Sequence, residues 1–380
     1  MPRFPLIRTL FATILAAAAV CAGDARADAP IDHKSLFVSG EGGYHTYRIP
    51  AVVVTTKGTV LALCEGRKNS ARDTGDIDLL LRRSTDGGKT FGPVQVVWDD
   101  GPNTCGNPCP VVDRQTGVVW LLTTHNLGRD HERQIVGRTS KGTRTVWIAK
   151  STDDGLSWSK PVEITDAVKR PGWTWYATGP GAGIQLRDGR LVIPCDHMNF
   201  EPREYCSHVI YSDDGGATWT IGGIARPDVN ECEVVELLDG QLMLNMRNHR
   251  SGRRERAVAI SDDRGESWSE VTHDAALVES HCQASIRRHS LASDGGENRL
   301  LFSNPADAQE RRRMTARMSE DEGRTWPQSR VLHEGPSGYS CLAVLPDGGI
   351  LCLYERGEKD YRETITLARF SVDWLAGETQ

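Results

Sequence analysis

Beyond about residue 30, apolar residues gather in short runs of four to six positions. Runs at 59–64, 78–83, 118–123, 145–149, 209–212 and 257–261 are rich in Val, Leu, Ile, Ala and Thr. Runs this short, bounded by Gly, Asp and Ser, predict strands. Asp188-Gly189, Asp239-Gly240 and Asp347-Gly348 separate neighbouring runs and mark hairpin turns. No helical period of useful length appears, so the chain reads as all-β.

The runs are organised by a repeat. Five segments share the pattern Ser-x-Asp-x-Gly-x-Thr/Ser-Trp/Phe: Ser84 to Phe91, Ser151 to Trp158, Ser212 to Trp219, Ser261 to Trp268 and Ser319 to Trp326. Their starts lie 67, 61, 49 and 58 residues apart. Regular self-similarity means an array of one supersecondary unit. In such a box, Ser and Asp side chains bond the backbone of a tight turn, Gly supplies a positive φ, and the aromatic ring plugs the turn onto the sheet. A calcium loop is the competing reading. It fails because no box has acidic positions 1, 3 and 5 with Glu at 12. Asp86, Asp153, Asp214, Asp263 and Asp321 are therefore read as structural. The 353 residues after position 27, divided by the mean spacing, give six units. The predicted architecture is one domain, a six-bladed β-propeller over 28–380, in which ring closure hides the sheet edges. The sixth blade is expected to combine 340–354 and 364–370 with an N-terminal strand.

The first 27 residues break this pattern. Arg3 and Arg8 precede the apolar run 9–20, and Ala25-Arg26-Ala27 follows as a cleavage site. The run is too short to span a bilayer and fits a signal peptide, which implies a periplasmic or secreted protein. Val20 is too large for the usual small residue before a lipidated Cys21, so lipid anchoring is not the expectation. No later run is long enough for a transmembrane segment.

The net charge of −6 argues against a general nucleic-acid binder. The basic stretch 247–256 is accordingly read as a solvated loop. Gly179 to Gly183 has no following helix, so it is read as a turn between blades and not a dinucleotide loop. Of the nine cysteines after the leader, Cys64, Cys195, Cys232, Cys341 and Cys352 lie in or beside apolar runs, where Cys acts as a small hydrophobe. Cys105 and Cys109 could close a small loop. Neither pairing nor metal binding is compelled.

A propeller is a scaffold, so function must come from residues outside the repeat. These are Tyr47-Arg48-Ile49-Pro50, Glu65-Gly66-Arg67 with Asp73 to Asp78, Glu231 before Asn245-Met246-Arg247, Arg311, Gly338-Tyr339-Ser340 and Tyr354-Glu355-Arg356-Gly357. Singly, each has an ordinary structural reading.

Together and in this order they resemble the exo-α-sialidases (neuraminidases) of the bacterial and animal superfamily with Asp boxes, over about residues 35–370. The resemblance implies an arginine triad of Arg48, Arg247 and Arg311, with Arg312 and Arg313 leaving a choice of register at the third. It implies Tyr339 as nucleophile, Glu231 as its carboxylate partner and Asp73 as general acid/base, with Asp76 close by. Glu355 resembles the residue that holds the first arginine, and Arg67 the arginine facing the 4-hydroxyl. Asn107 and Tyr176 resemble contacts to the N-acetyl and glycerol groups. The implied partners are sialylated glycans, and no metal or organic cofactor has a role.

The chemistry fits these residue types. Three permanently charged guanidiniums suit the carboxylate on the anomeric carbon of sialic acid. A neutral tyrosine avoids the repulsion that a carboxylate nucleophile would meet there, and sialidases are the known exception in using it. Retaining hydrolysis of terminal sialic acid is therefore the expected activity. The rival readings are a non-catalytic carbohydrate-binding propeller, which would have lost Tyr339, Glu231 or Asp73, and a trans-sialidase variant.

Overall fold

The computed structural model describes residues 1–2 and 31–377. Apart from its first two positions, the expected leader, with its cleavage site and Cys21, lies outside the described residues. Among the described residues, no helix is long and apolar enough to cross a membrane.

Strand pairing resolves into six four-stranded antiparallel blades. Blade 1 runs from Thr46–Val54 through Val60–Arg67 and Ile77–Ser84 to Gln95–Trp98. Blade 2 runs from Thr104–Val112 through Val119–Asn126 and Thr145–Ser151 to Val162–Glu163. The innermost strand of blade 3 comes in two pieces, Trp173–Thr178 and Ile184–Gln185, followed by Leu191–Asn199, Glu204–Ser212 and Thr220–Ala225. Blade 4 consists of Val229–Glu236, Leu242–Asn248, Glu255–Ser261 and Thr272–Val278. Blade 5 takes Ser285–Ser290, Arg299–Pro305, Arg312–Ser319 and the first half of Gln328–Val344. The second half of that long strand opens blade 6, which continues through Ile350–Arg356 and Thr364–Phe370. Its outer strand is Asp32–Val38, paired from Asp32↔Arg369 to Val38↔Thr364. Neighbouring blades touch in cyclic order, blade 3 reaching blade 4 through Leu191–Asn199 and through the segment between the two pieces of its innermost strand, so the ring closes on itself.

Each box occupies the same place, directly after the third strand of blades 1 to 5. In every one the Ser hydroxyl donates to Asp Oδ1 and accepts from the box Gly N–H. The Thr or Ser two positions after that Gly donates its N–H to Oδ1 and its hydroxyl to Oδ2. The five box glycines have φ between 76° and 93°, where only Gly sits without strain. Each box is also tied to the preceding blade. Arg83 donates to the Asp154 carbonyl at 3.0 Å, Trp120 to Gly215 at 3.0 Å and Arg190 to Arg264 at 3.1 Å. Leu238 N–H reaches Glu322 at 2.8 Å, and Lys34 of blade 6 reaches the Lys89 carbonyl in the first box. The boxes are thus turns inside one blade and staples between two.

The apolar core lies between blades. Leu61, Leu63, Leu81 and Leu121 pack blades 1 and 2 together with Leu351 and Leu367 of blade 6; other clusters fill the remaining gaps. The axis is polar. Gln283 donates to the carbonyls of Pro180 and Ser340 and accepts from Ser340 N–H. Buried Glu233 accepts from Ser285 Oγ at 2.8 Å and Ile286 N at 2.9 Å.

Two sequence readings are corrected here. Gly179 to Gly183 is not a turn between blades. It interrupts the innermost strand of blade 3, because Gly181 (φ 118°) passes so close to Glu233 that a Cβ there would overlap its carboxylate. The stretch 247–256 is solvated only at its centre. Arg256 at its end is fully buried, 2.7 Å from Glu279. The nine described cysteines are all buried and unpaired, so Cys105 and Cys109 close no loop.

Candidate active site

Four innermost strands change register at one end of the propeller. The shifts fall between Arg48 and Ala51, Gly106 and Cys109, Val229 and Cys232, and Ser337 and Ser340. A bulge re-aims the side chains within it. These four carry Arg48, Asn107, Glu231 and Tyr339. Ile49, beside Arg48, is forced to φ 61°, a strained value for a β-branched residue. Its N–H is held by Glu355 Oε1 at 3.0 Å.

Tyr339 donates its hydroxyl to Glu231 Oε1. Arg247 completes the group, 2.6 Å from Glu231 Oε2 and 3.5 Å from the Tyr339 oxygen. Arg48 forks onto the fully buried Glu355, with bonds of 2.7 and 3.2 Å, and Glu355 Oε2 also accepts the Tyr339 N–H at 3.1 Å. Gly338 makes this possible, since a Cβ there would collide with Glu355 and with the ring of Tyr361. Arg311 donates to the His281 carbonyl at 2.8 Å and lies 5.5 Å from the Tyr339 ring centre. It has no carboxylate partner among the described residues. Arg312 and Arg313 are exposed and turn to Glu310 and Glu334, so geometry selects Arg311.

Across the site, Arg67 bonds Glu65 at 2.7 Å and Asp73 at 2.7 Å, and Arg48 stands 3.8 Å from Asp73. The Asp73 carboxylate is 66% exposed, open to an incoming ligand. Asp76 pairs instead with Lys68 at 3.0 Å. The one group of described carboxylates close enough for a metal, Asp76, Asp78 and Asp99, already holds the Lys68 ammonium at 3.0 to 3.4 Å. Asn107 takes part through its backbone N–H, 2.9 Å from Glu65, while Arg144 and Thr124 hold its side-chain oxygen.

The electrostatics follow from these contacts. Burial and the Glu231 charge hold the Tyr339 phenol well above its ordinary value, against the pull of Arg247, Arg311 and Arg48. Burial raises the Glu231 carboxyl, but Arg247, the Tyr339 hydrogen bond and Arg311 outweigh it and keep it ionised. Asp73 is likewise raised by desolvation and held low by Arg67, then Arg48. The resting site therefore pairs a neutral phenol with an ionised carboxylate.

The family described as a BNR repeat-like domain matches residues 58–352. The chain is 38% identical to a sialidase of Bacteroides fragilis (strain YCH46), over 83% of this chain and 61% of that protein. It is 32% identical to Sialidase-3 of Homo sapiens, over 86% of this chain and 89% of that protein. The chain belongs to the sialidase family. It spans about three fifths of the bacterial relatives it matches, the Micromonospora viridifaciens sialidase included. Among solved structures, the Hadza microbial sialidase Hz136 superposes with a TM-score of 0.82 at 35% identity, covering 90% of this chain and 69% of that one. An intramolecular trans-sialidase from Ruminococcus gnavus, at 20% identity and a TM-score of 0.75, shares the fold.

In this sialidase-family chain one expected contact residue is misplaced. Tyr176 is fully buried, its hydroxyl 3.1 Å from His208 Nε2, and cannot line the site. It stands back in register opposite His197, just past a further shift between Trp173 and Tyr176. Trp175, inside that shift, stacks at 4.1 Å on the guanidinium of Arg144, which also holds the Asn107 side chain. The sequence reading also missed Arg144, Glu132, Asp196 and Tyr361. Asp196 is nearly fully buried. Burial, then Glu231 and Glu132, push its carboxyl well above the usual range. Glu132 accepts from the Tyr205 hydroxyl at 3.0 Å. No local motif flags these residues; they meet only through the fold.

Proposed function

We propose that the protein is an exo-α-sialidase that releases terminal sialic acid from glycoconjugates with retention, through a tyrosyl-enzyme intermediate. The observation that carries this is the Tyr339–Glu231 hydrogen bond set among Arg247, Arg311 and Arg48. The three guanidiniums clamp the substrate carboxylate, and Arg311, lacking a carboxylate partner of its own, supplies the most available charge. Arg67 reaches the sugar beside Asp73, and Glu355 keeps Arg48 aimed.

In the first step the Tyr339 oxygen attacks the anomeric carbon and passes its proton to Glu231, while Asp73 protonates the departing glycosidic oxygen. In the second, Asp73 takes a proton from water, whose oxygen displaces Tyr339; the phenolate recovers its proton from Glu231. Asp73 is ionised in the empty site and must be protonated to act as acid. Substrate binding supplies the shift. The incoming carboxylate offsets the charge of Arg48, and the sugar displaces water from an exposed side chain, both of which favour the protonated form.

NMR analysis of products from an aryl α-sialoside tests the reading. The α-anomer of sialic acid is expected as first product. First release of the β-anomer overturns retention, an anhydro or transferred sugar overturns hydrolysis, and no turnover of any sialoside overturns the enzyme.

A further inference from the structure

Within the sialidase reading, we propose that Tyr361 is a positioning residue that holds the carboxylate clamp open for its ligand. Tyr361 lies in the loop between the second and third strands of blade 6, outside every motif noted in the sequence. The guanidinium carbons of Arg48 and Arg311 lie 5.4 and 5.5 Å from its ring centre. Its hydroxyl oxygen accepts from Arg311 at 3.4 Å. Tyr339 meets the same two cations with its own ring, at 5.1 and 5.5 Å.

Two aromatic rings thus serve the two like charges of the clamp; the Tyr361 ring also meets Arg362 at 5.3 Å, a cation that Asp360 already neutralises. Glu355 neutralises Arg48, but Arg311 has no carboxylate of its own among the described residues, and the guanidiniums of the clamp repel each other until an anion arrives. An aromatic face attracts a cation without neutralising it. A carboxylate at this position would satisfy Arg311 and compete with the substrate. The Tyr361 ring steadies both arginines and leaves their charge for the ligand. Its place is built in. The ring packs where a Cβ on Gly338 would stand, 2.8 Å from Tyr361 Cδ2, so the residue preceding Tyr339 is kept bare for it.

The test compares Tyr361→Leu, which keeps apolar bulk, with Tyr361→Phe, which keeps the ring. The ligands are 2,3-unsaturated sialic acid and its carboxamide. Tyr361→Leu is expected to weaken inhibition by the acid about tenfold, the size of one or two cation–π contacts. The amide constant, and kcat on an activated aryl sialoside, should change little while KM rises. Tyr361→Phe should stay close to the parent. Equal weakening of acid and amide overturns the proposal, since Tyr361 would then touch the sugar elsewhere. Unchanged acid inhibition in Tyr361→Leu overturns it too. Circular dichroism and the melting temperature establish that the variant is folded. If the parent protein itself does not prefer the acid to the amide, the sialidase reading fails, a result distinct from failure of the Tyr361 proposal alone.

Discussion

The box turns and the axial site use the same carboxylate chemistry to opposite ends. In a box, Asp finds its partners within four residues of itself, and the turn is complete before any other blade is present. In the site, Glu231 is met by Tyr339 across 108 positions and Glu355 by Arg48 across 307. The first arrangement recurs in blades 1 to 5 because it is local. The second occurs once because it needs the closed ring. A site whose members come from different blades exists only when all of them are in place, and a repeat supplies the rigidity that makes this possible.

The contrast is broken most sharply at Tyr339. Tyr339→Phe is expected to lower kcat/KM on sialosides by roughly three orders of magnitude or more, as loss of an activated nucleophile does. Its melting temperature should stay near the parent value, because only a hydroxyl is lost. Retained turnover would remove Tyr339 from the chemistry.

Asp73→Ala should follow. Glycosides with poor leaving groups are expected to lose about 10²–10⁴ in rate, and an activated aryl sialoside much less. Parallel rate measurements on the two substrates check this, and equal losses count against Asp73 as the acid.

A smaller effect comes from the blade 3 interior. His197 and His208 share a 3.0 Å hydrogen bond between Nδ1 atoms, and His197 stacks on Trp173 at 3.6 Å. Burial holds both neutral, His208 down to about 3 and His197 well below its usual value. Each takes up a proton near pH 6.5 when unfolded. The stability they contribute is therefore complete above about pH 6.5 and declines as pH falls toward the folded-state value near 3. Urea midpoints measured from pH 7 to 4 should show this decline, and His208→Gln should flatten it. A flat parent profile would sink the assignment.

The smallest effect is expected in a box. Asp153→Ala removes acceptors from one local turn and should lower the melting temperature by roughly 1–3 °C. Activity should be unchanged, and a large loss of kcat/KM would show that box and site are coupled after all.

The same contrast decides what could be read from the chain alone. Boxes, Asp-Gly hairpins and the blade count were legible because their signals are short and periodic. Arg48, Glu231, Arg247 and Tyr339 were legible through family order, and the structure brings them together. Arg311 over its neighbours, and Asp73 over Asp76, needed the fold, because loop register is not encoded locally. Tyr176 failed for a definite reason. Successive strand residues face opposite ways, and one position of slip exchanges Trp175 for Tyr176. Arg144, Asp196 and Tyr361 resemble ordinary surface or core residues until distant strands surround them.

Ring closure by Asp32–Val38 carries a kinetic consequence. The seam joins residues as distant as Ser35 and Thr366, whose hydroxyls meet at 3.3 Å across 331 positions. Such a contact has among the highest sequence separations the chain offers, and its loop-closure entropy is lost before any of its pairing is gained. Arg48 and Glu355 meet across the same junction of blades 1 and 6. Acquisition of activity should therefore coincide with the last and slowest phase of refolding, after most β-sheet signal has already returned. A circularly permuted chain with its new ends at Asp239-Gly240 would turn that slow encounter into a tethered one, and should regain activity sooner at equal sheet content.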